Sequence, residues 1–193
     1  MWAVTALVAL CLAIAPVSAG DVYSVDKTRS EAKLAIRYLL STVTGRVKEV
    51  GGVIRLDALN LTASIVNLFA ETSAIETGSP DLDRALHSAA LLDVAKYPRI
   101  IFESRIVKTT SATNHFQVVG DFTLHGVTKQ VVFSVVFEGA VREPDGRSRS
   151  RFTARTTLNR QDYGINWNKV LDQGGVLVGD EIAVAINISA TSK

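Results

Sequence analysis

Hydrophobic and polar residues alternate along most of this chain, with the two-residue period of half-buried β-strands. Ala32, Leu34, Ile36 and Tyr38 share one face, while Glu31, Lys33, Ala35 and Arg37 share the other. The next strand carries Val47, Val50, Ile54 and Leu56, and Gly51-Gly52 within it predicts a bulge or sharp bend. Leu61 to Ala70 is apolar on both faces, so periodicity does not orient it. Ile100, Phe102, Ser104 and Ile106 alternate as one face of another strand. Phe116, Val118, Gly120, Phe122 and Leu124 run into a His125-Gly126 turn, and Val131, Phe133, Val135 and Phe137 answer on the far side. Pro144-Asp145-Gly146 is a turn, and Phe152, Ala154, Thr156 and Leu158 form a strand. Gly174-Gly175 marks a loop before the last alternating run, Ile182, Val184, Ile186 and Ile188.

One stretch, Ser79 to Pro98, changes period. Leu82, Ala85, Leu86 and Ala89 recur at three- and four-residue spacing, the mark of one apolar helix face. Ser79 is the expected N-cap, Pro80 fits the first helical position, and Asp81 and Asp83 suit the positive end of the macrodipole. Tyr97-Pro98 stops the pattern, because a residue before proline is pushed towards extended backbone. A helix among strands must rest on something, and Leu82, Leu86 and Leu91 are expected to pack it over one mouth of a barrel. About eight antiparallel strands between turns predict a sandwich or barrel, and closure into a barrel removes exposed edges. An interior of about eight strands is either filled by side chains or able to hold one small ligand.

Composition changes this picture little. The 193 residues are 47% hydrophobic and 21% charged, with a net charge of +2, which fits one globular domain and gives no argument for nucleic acid. Residues 1–19 read as a secretory signal: Ala6 to Ala15 is an apolar run, and Val17-Ser18-Ala19 precedes Gly20 as a cleavage site. The alternative is a buried N-terminal helix or an uncleaved anchor, for which the run is short. Cys11 is the only cysteine, so a chain of residues 20–193 has neither disulfides nor thiolate chemistry.

Catalytic signatures are weak. His87, His115 and His125 lie in different elements without metal-ligand spacing, and His87 stands four residues after Asp83 as a surface pair would. There is no G-x-S-x-G, and the glycine pairs lack the lysine of a phosphate loop. Asp121 and Thr123 fit outward positions of a strand, and the separation of Asp121 from Asp162 is not given by spacing. Arg147, Arg149 and Arg151 alternate onto one face, either solvated or set against an anionic membrane surface in transient contact. Tyr163 and Trp167 flank Gly164-Ile165-Asn166 and suit either a pocket mouth or plain loop packing.

Two segments carry a family resemblance. Asp83, Leu86, Ser88, Tyr97, Pro98, Phe102 and Ser104 follow the pattern of the YceI family, lipocalin-like polyisoprenoid-binding proteins, with Ala85 in place of its histidine. Gly120, Asp121, Thr123, Gly126, Val127, Thr128 and Lys129 match that family's G-D-L-T-x-x-G-V-T-K hairpin, with Phe122 in the leucine place. Gly45 and Gly52 fit its glycine pattern, and Asn159 to Ile165 resembles its R-x-D-F-G-I. The resemblance spans most of Tyr23 to Ala190 and implies a mainly β, eight-stranded antiparallel barrel around a long apolar tunnel, in a periplasmic protein. It also favours Val66, Leu68 and Ala70 as inward. Ile65 and Phe69 would then face the helix, solvent or the partner of a homodimer.

The expected function is therefore a carrier, not an enzyme, without cofactor or metal, holding a polyisoprenoid, isoprenoid quinone or similar lipid. The expected lumen comprises Leu34, Ile36 and Tyr38; Val66 and Leu68; Leu86 and Leu91; Phe102; and Phe116, Val118, Phe122 and Leu124. Phe133, Phe152, Tyr163, Ile165, Trp167, Val184 and Ile186 complete it, with the ligand's head near the Tyr163–Trp167 loop. Binding without polar anchors is feasible for long ligands. An isoprene unit gains about 3–4 kcal/mol gross at ~0.8 kcal/mol per methylene. After ordering costs, some twenty carbons still net about 6 kcal/mol. The competing readings are a lipid-modifying enzyme, which needs an acid–base pair inside the barrel, and a filled barrel acting as an interaction module.

Overall fold

The structure, a computed structural model, describes residues 21–57, 60–168 and 177–193. The expected export segment, Cys11 and the Gly174-Gly175 loop lie outside the described residues. The strands are β1 (Asp21–Val25), β2 (Glu31–Tyr38), β3 (Ser41–Lys48), β4 (Gly51–Leu56), β5 (Ile65–Glu71) and β6 (Ile75–Glu76). After the helix α1 (Pro80–His87) come β7 (Arg99–Thr109), β8 (His115–Leu124), β9 (Val127–Arg142), β10 (Ser148–Asn159) and β11 (Val178–Ser192).

These eleven segments act as eight staves. β1 and β2 both run along β11, β1 beside Ala190–Ser192 and β2 beside Val178–Asn187. β4 and β3 pair with β1 and β2 respectively, and β5 and β6 pair in turn with β4 and β3. β5 then meets β7, and β7 to β11 follow in chain order, all antiparallel. Because β1 bonds both β4 and β11, the sheet closes: an up-and-down, eight-stranded antiparallel barrel with one α-helix among the described residues.

The broken staves have local causes. Between β1 and β2, Asp26 Oδ1 accepts from the backbone N–H and the hydroxyl of Thr28, capping a single 3-10 turn. Between β3 and β4 the bend expected from Gly51-Gly52 is present: Glu49 takes a φ of 60° and Gly52 a φ of 148°. A Cβ at Gly52 would overlap the carbonyl oxygen of Asn67, so a side chain there would push β4 off β5. Two bulges reset the alternation further on. On β7 the register shifts between Ser104 and Ile106, leaving Arg105 unpaired, and on β9 it shifts at Glu138. The first overturns the expected face of Ile106: this residue is 45% exposed, and Val107 takes the buried position.

The helix is shorter than its apolar pattern. Pro80 occupies the first turn as expected, but Ser79 makes no side-chain cap. Asp83 reaches back instead, accepting from the backbone N–H and the hydroxyl of Thr77 at 2.7 Å each, and these bonds hold its carboxyl below the usual carboxylate range. The helix stops at His87 because Ser88 turns its hydroxyl onto the Ala85 carbonyl, while the Leu92 N–H returns to Leu86 O. Residues 88–97 continue as turns, anchored by Thr72, whose hydroxyl and N–H donate to Tyr97 O and Pro98 O.

Candidate functional site: an apolar lumen

The inward positions of all eight staves surround a cavity of about 220 Å³. On β8 alone it is lined from Phe116 to Leu124, nine residues or roughly 20 Å along the axis of a tilted stave. The segment after β6 caps one end with Leu86 and Leu92, and Leu61 and Ser64 lie at the other. Across the middle, Phe102 meets Phe133 edge-on with ring centroids 5.0 Å apart, and Phe122 lies 6.3 Å from Phe133. Among the described residues Ser64 is the one polar side chain in the lining, and its hydroxyl accepts from the Asp57 N–H. No titratable side chain of the described residues lines the cavity.

Fourteen of the expected lumen residues meet here. Leu34, Val66, Leu68, Leu86, Phe102, Phe116 and Val118 line the cavity, as do Phe122, Leu124, Phe133, Phe152, Ile165, Val184 and Ile186. Five do not. Ile36 and Tyr38 share Leu34's strand face but lie two and four residues further along β2, past its last lining position. Leu91 is half-buried beside the core, and Leu92 takes the inward place, 6% exposed. Tyr163 is buried outside the cavity lining, its ring 5.8 Å from that of Phe122. Trp167 is 44% exposed.

The expected helix contact through Leu82 is likewise corrected: Leu82 is 40% exposed, and Leu86 and Leu92 supply the seal. The pattern missed Leu92 because it lies past the helix end, where helical spacing no longer applies. Leu92→Ala is expected to lower stability by about 2–4 kcal/mol, and Leu82→Ala by no more than about 0.5 kcal/mol. Urea unfolding of the two variants checks this. Equal losses would place both leucines at the same interface.

The lid segment is fastened at its edges. His87 Nε2 lies 2.9 Å from Ile75 O, in place of the expected pair with Asp83. The Tyr97 ring packs on the β8–β9 turn, where Gly126 has a φ of 73° and a Cβ would overlap that ring. His125 meets Tyr97 at 4.5 Å between centroids, and its Nδ1 lies 3.0 Å from Tyr163 O. Burial pushes the Tyr163 phenol up to about 12, and the adjacent Asp162 carboxylate adds to the shift. The unfolded chain releases this proton near pH 10, so the stability tied to the neutral phenol is lost as pH rises from about 10 to 12.

The outer face holds the remaining polar motifs. Asp121 accepts Arg105 Nε at 2.8 and 2.9 Å, bridging the β7 bulge from outside, and Thr123 pairs with Thr128 at 2.8 Å. Arg147 pairs with Asp145 and Arg149 with Glu143, at the end opposite the lid. Arg160, which the spacing did not single out, is 2% exposed. It donates to the carbonyls of Gly179, Ile165 and Trp167 and to Asp180 Oδ1, at 2.6–2.9 Å.

Known proteins share the fold. The YceI-like domain model matches residues 23–190. A "UPF0312 protein" of Pseudomonas savastanoi pv. phaseolicola is 37% identical over 166 residues, covering 82% of this chain and 86% of that one. The crystal structure of Burkholderia cenocepacia BcnA superposes with a TM-score of 0.75 at 15% identity, covering 86% of this chain and 98% of that one. A polyisoprenoid binding domain from Saccharophagus degradans, implicated in plant cell wall breakdown, superposes with a TM-score of 0.65 at 15% identity, covering 89% and 98%.

Proposed function

This chain belongs to the YceI-like domain family, and from that premise we propose that it binds a long apolar lipid chain, a polyisoprenoid, isoprenoid quinone or similar molecule, inside its barrel. The observation that carries the reading is the lumen itself, about 220 Å³ with an almost wholly apolar surface. A dry void of that size would cost about 5 kcal/mol at the ~24 cal/mol per Å³ found for core cavities. That is a large share of the stability of an ordinary domain, on the order of 5–15 kcal/mol. An apolar chain lying in the lumen removes the cost, whereas water there finds almost no polar partners. The polyisoprenoid binding domain from Saccharophagus degradans, which shares the fold, supports the ligand class. The absence of any titratable lining group among the described residues favours binding over lipid chemistry. The lumen favours a ligand site over a filled barrel.

The reading includes export: cleavage after Ala19 and a periplasmic location, supported by the apolar run Ala6 to Ala15 and by Val17-Ser18-Ala19. One preparation tests both parts. Protein purified without detergent from an exporting host should begin at Gly20 and, on organic extraction and mass spectrometry, release a prenyl lipid. Material that starts at Met1 sinks the export proposal. Protein that carries no apolar ligand and takes up no added quinone sinks the binding proposal.

A further inference from the structure

The lid end of the barrel bears an apolar lip that the fold does not use. The hairpin between β2 and β3 turns through two residues, since Tyr38 pairs with Ser41. Such turns favour asparagine and glycine, because their φ is often positive. Here the turn is Leu39-Leu40. Leu39 is held at a φ of 53°, and Leu40 is 98% exposed. A bulky side chain in left-handed backbone is disfavoured, and an apolar one fully in water gains nothing from the fold. Local chemistry that breaks its own rule without a structural return marks a functional position.

A second apolar tip stands beside it. The Leu39 N–H donates to Leu177 O, and both backbone groups of the next residue, Val178, bond to the side chain of Asn168. Trp167, adjacent to Asn168, is 44% exposed while its carbonyl is held by Arg160. These bonds put Leu39, Leu40 and Trp167 at the same end of the barrel as the parts of one lip, and Arg37 Nε, bonded to Leu39 O, places a cation beside the turn. Trp167 lies two residues past Ile165, and the turn follows Leu34 on the same hairpin. Both Ile165 and Leu34 line the lumen.

We propose that this lip inserts into the interface of a lipid bilayer and is where the barrel docks to exchange its ligand. The proposal rests on the lumen reading for the exchange, and on the lip alone for the docking. Three apolar side chains on two segments fall far short of the roughly 20–30 residues per side of a stable protein interface. A fluid bilayer accepts such projections without a complementary pocket, and tryptophan with a neighbouring arginine suits its boundary. A prenyl chain leaving the membrane here would meet the end of the lumen that Leu34 and Ile165 line and that Leu86 and Leu92 close.

The chain has two tryptophans, so Trp2→Phe leaves Trp167 as the single fluorophore and makes the readout independent of residues 1–19. Mixed with phosphatidylethanolamine–phosphatidylglycerol vesicles carrying brominated acyl chains, this protein should show blue-shifted and quenched Trp167 emission. Leu39→Asn with Leu40→Ser, on the same background, installs favoured turn chemistry, so thermal stability should be unchanged or higher. Vesicle affinity read by the quenching should fall about tenfold or more, while quinone uptake from a cyclodextrin complex in vesicle-free solution persists. Unquenched Trp167 with normal cyclodextrin uptake overturns the docking proposal and leaves the lumen reading standing. Quenching without uptake overturns the lumen reading and leaves docking standing. A lip that is unquenched and whose double variant converts a dimer to a monomer on gel filtration assigns it to a second copy instead.

Discussion

Leu34→Trp will fold and carry no prenyl lipid. Leu34 lines the lumen on β2, between Gly45 on β3 and Val184 on β11. A Cβ at Gly45 would meet Ile75 Cγ2 and Glu76 O at 3.7 Å and the Leu34 Cβ at 3.8 Å, so that flank is occupied and an indole at position 34 must turn into the lumen. Its bulk then fills space that a ligand chain would use, and the wall stays apolar. Overpacking costs about 1–3 kcal/mol, which a barrel whose staves are all paired can bear. The expected result is a cooperative unfolding transition at slightly lower urea and loss of at least nine-tenths of bound or added quinone, roughly 1.4 kcal/mol or more in affinity. Ile36→Trp is the matched control. It makes the same change on the same face, two residues beyond the last lining position of β2, and should retain its ligand. Full occupancy in a folded Leu34→Trp protein would mean that the chain does not run past residue 34, and equal loss in both variants would extend the lumen to Ile36.

The contrast between Leu34 and Ile36 shows where the sequence stops informing. Alternation places both on one face, because side-chain period in a strand is a property of the local backbone. It says nothing of how far along the axis a closed lumen reaches, which depends on the stagger of neighbouring staves. The same limit appears on β7, where Ile100, Phe102, Ser104 and Ile106 alternate without fault in sequence, yet one unpaired residue, Arg105, turns Ile106 outward and Val107 inward. The bulge is a pairing event between strands, and no composition within β7 announces it. Gly51-Gly52 did announce the corner between β3 and β4, because glycine tolerates the φ and close approach that a corner needs. The roles of Leu92 and of Arg160, the arginine of the R-x-D-F-G-I resemblance, escaped for a third reason. Each works from irregular backbone, a turn after α1 and a 3-10 turn after β10, where neither period applies.

Arg160→Met will lower stability by about 3–5 kcal/mol, the range for breaking a buried charged group out of its partners. The guanidinium is 3% exposed and uses Nε, Nη1 and Nη2 together. Its contacts join the start of β11, through Gly179 and Asp180, to the turn that carries Ile165 and Trp167. Methionine keeps much of the stem's packing and removes every donor. Three carbonyls then lose a partner, at about 1–3 kcal/mol for each that stays buried. Asp180 contributes less, because its side chain is 39% exposed and can rehydrate. Asp180→Asn should accordingly cost under about 1 kcal/mol. Arg160→Lys should recover only part of the loss, since an ammonium lacks the planar fork that serves three carbonyls and a carboxylate at once. In a domain of this size the Arg160→Met loss corresponds to a fall in Tm of roughly 6–20 °C, at about 2–4 °C per kcal/mol. Because Ile165 belongs to the lumen wall and Trp167 to the lip, ligand retention should weaken with the fold at that end. A methionine variant as stable as the parent would show that the carbonyls of Gly179, Ile165 and Trp167 find water or each other. An Asp180→Asn loss as large as that of Arg160→Met would put the energy in the ion pair and not in the backbone clamp.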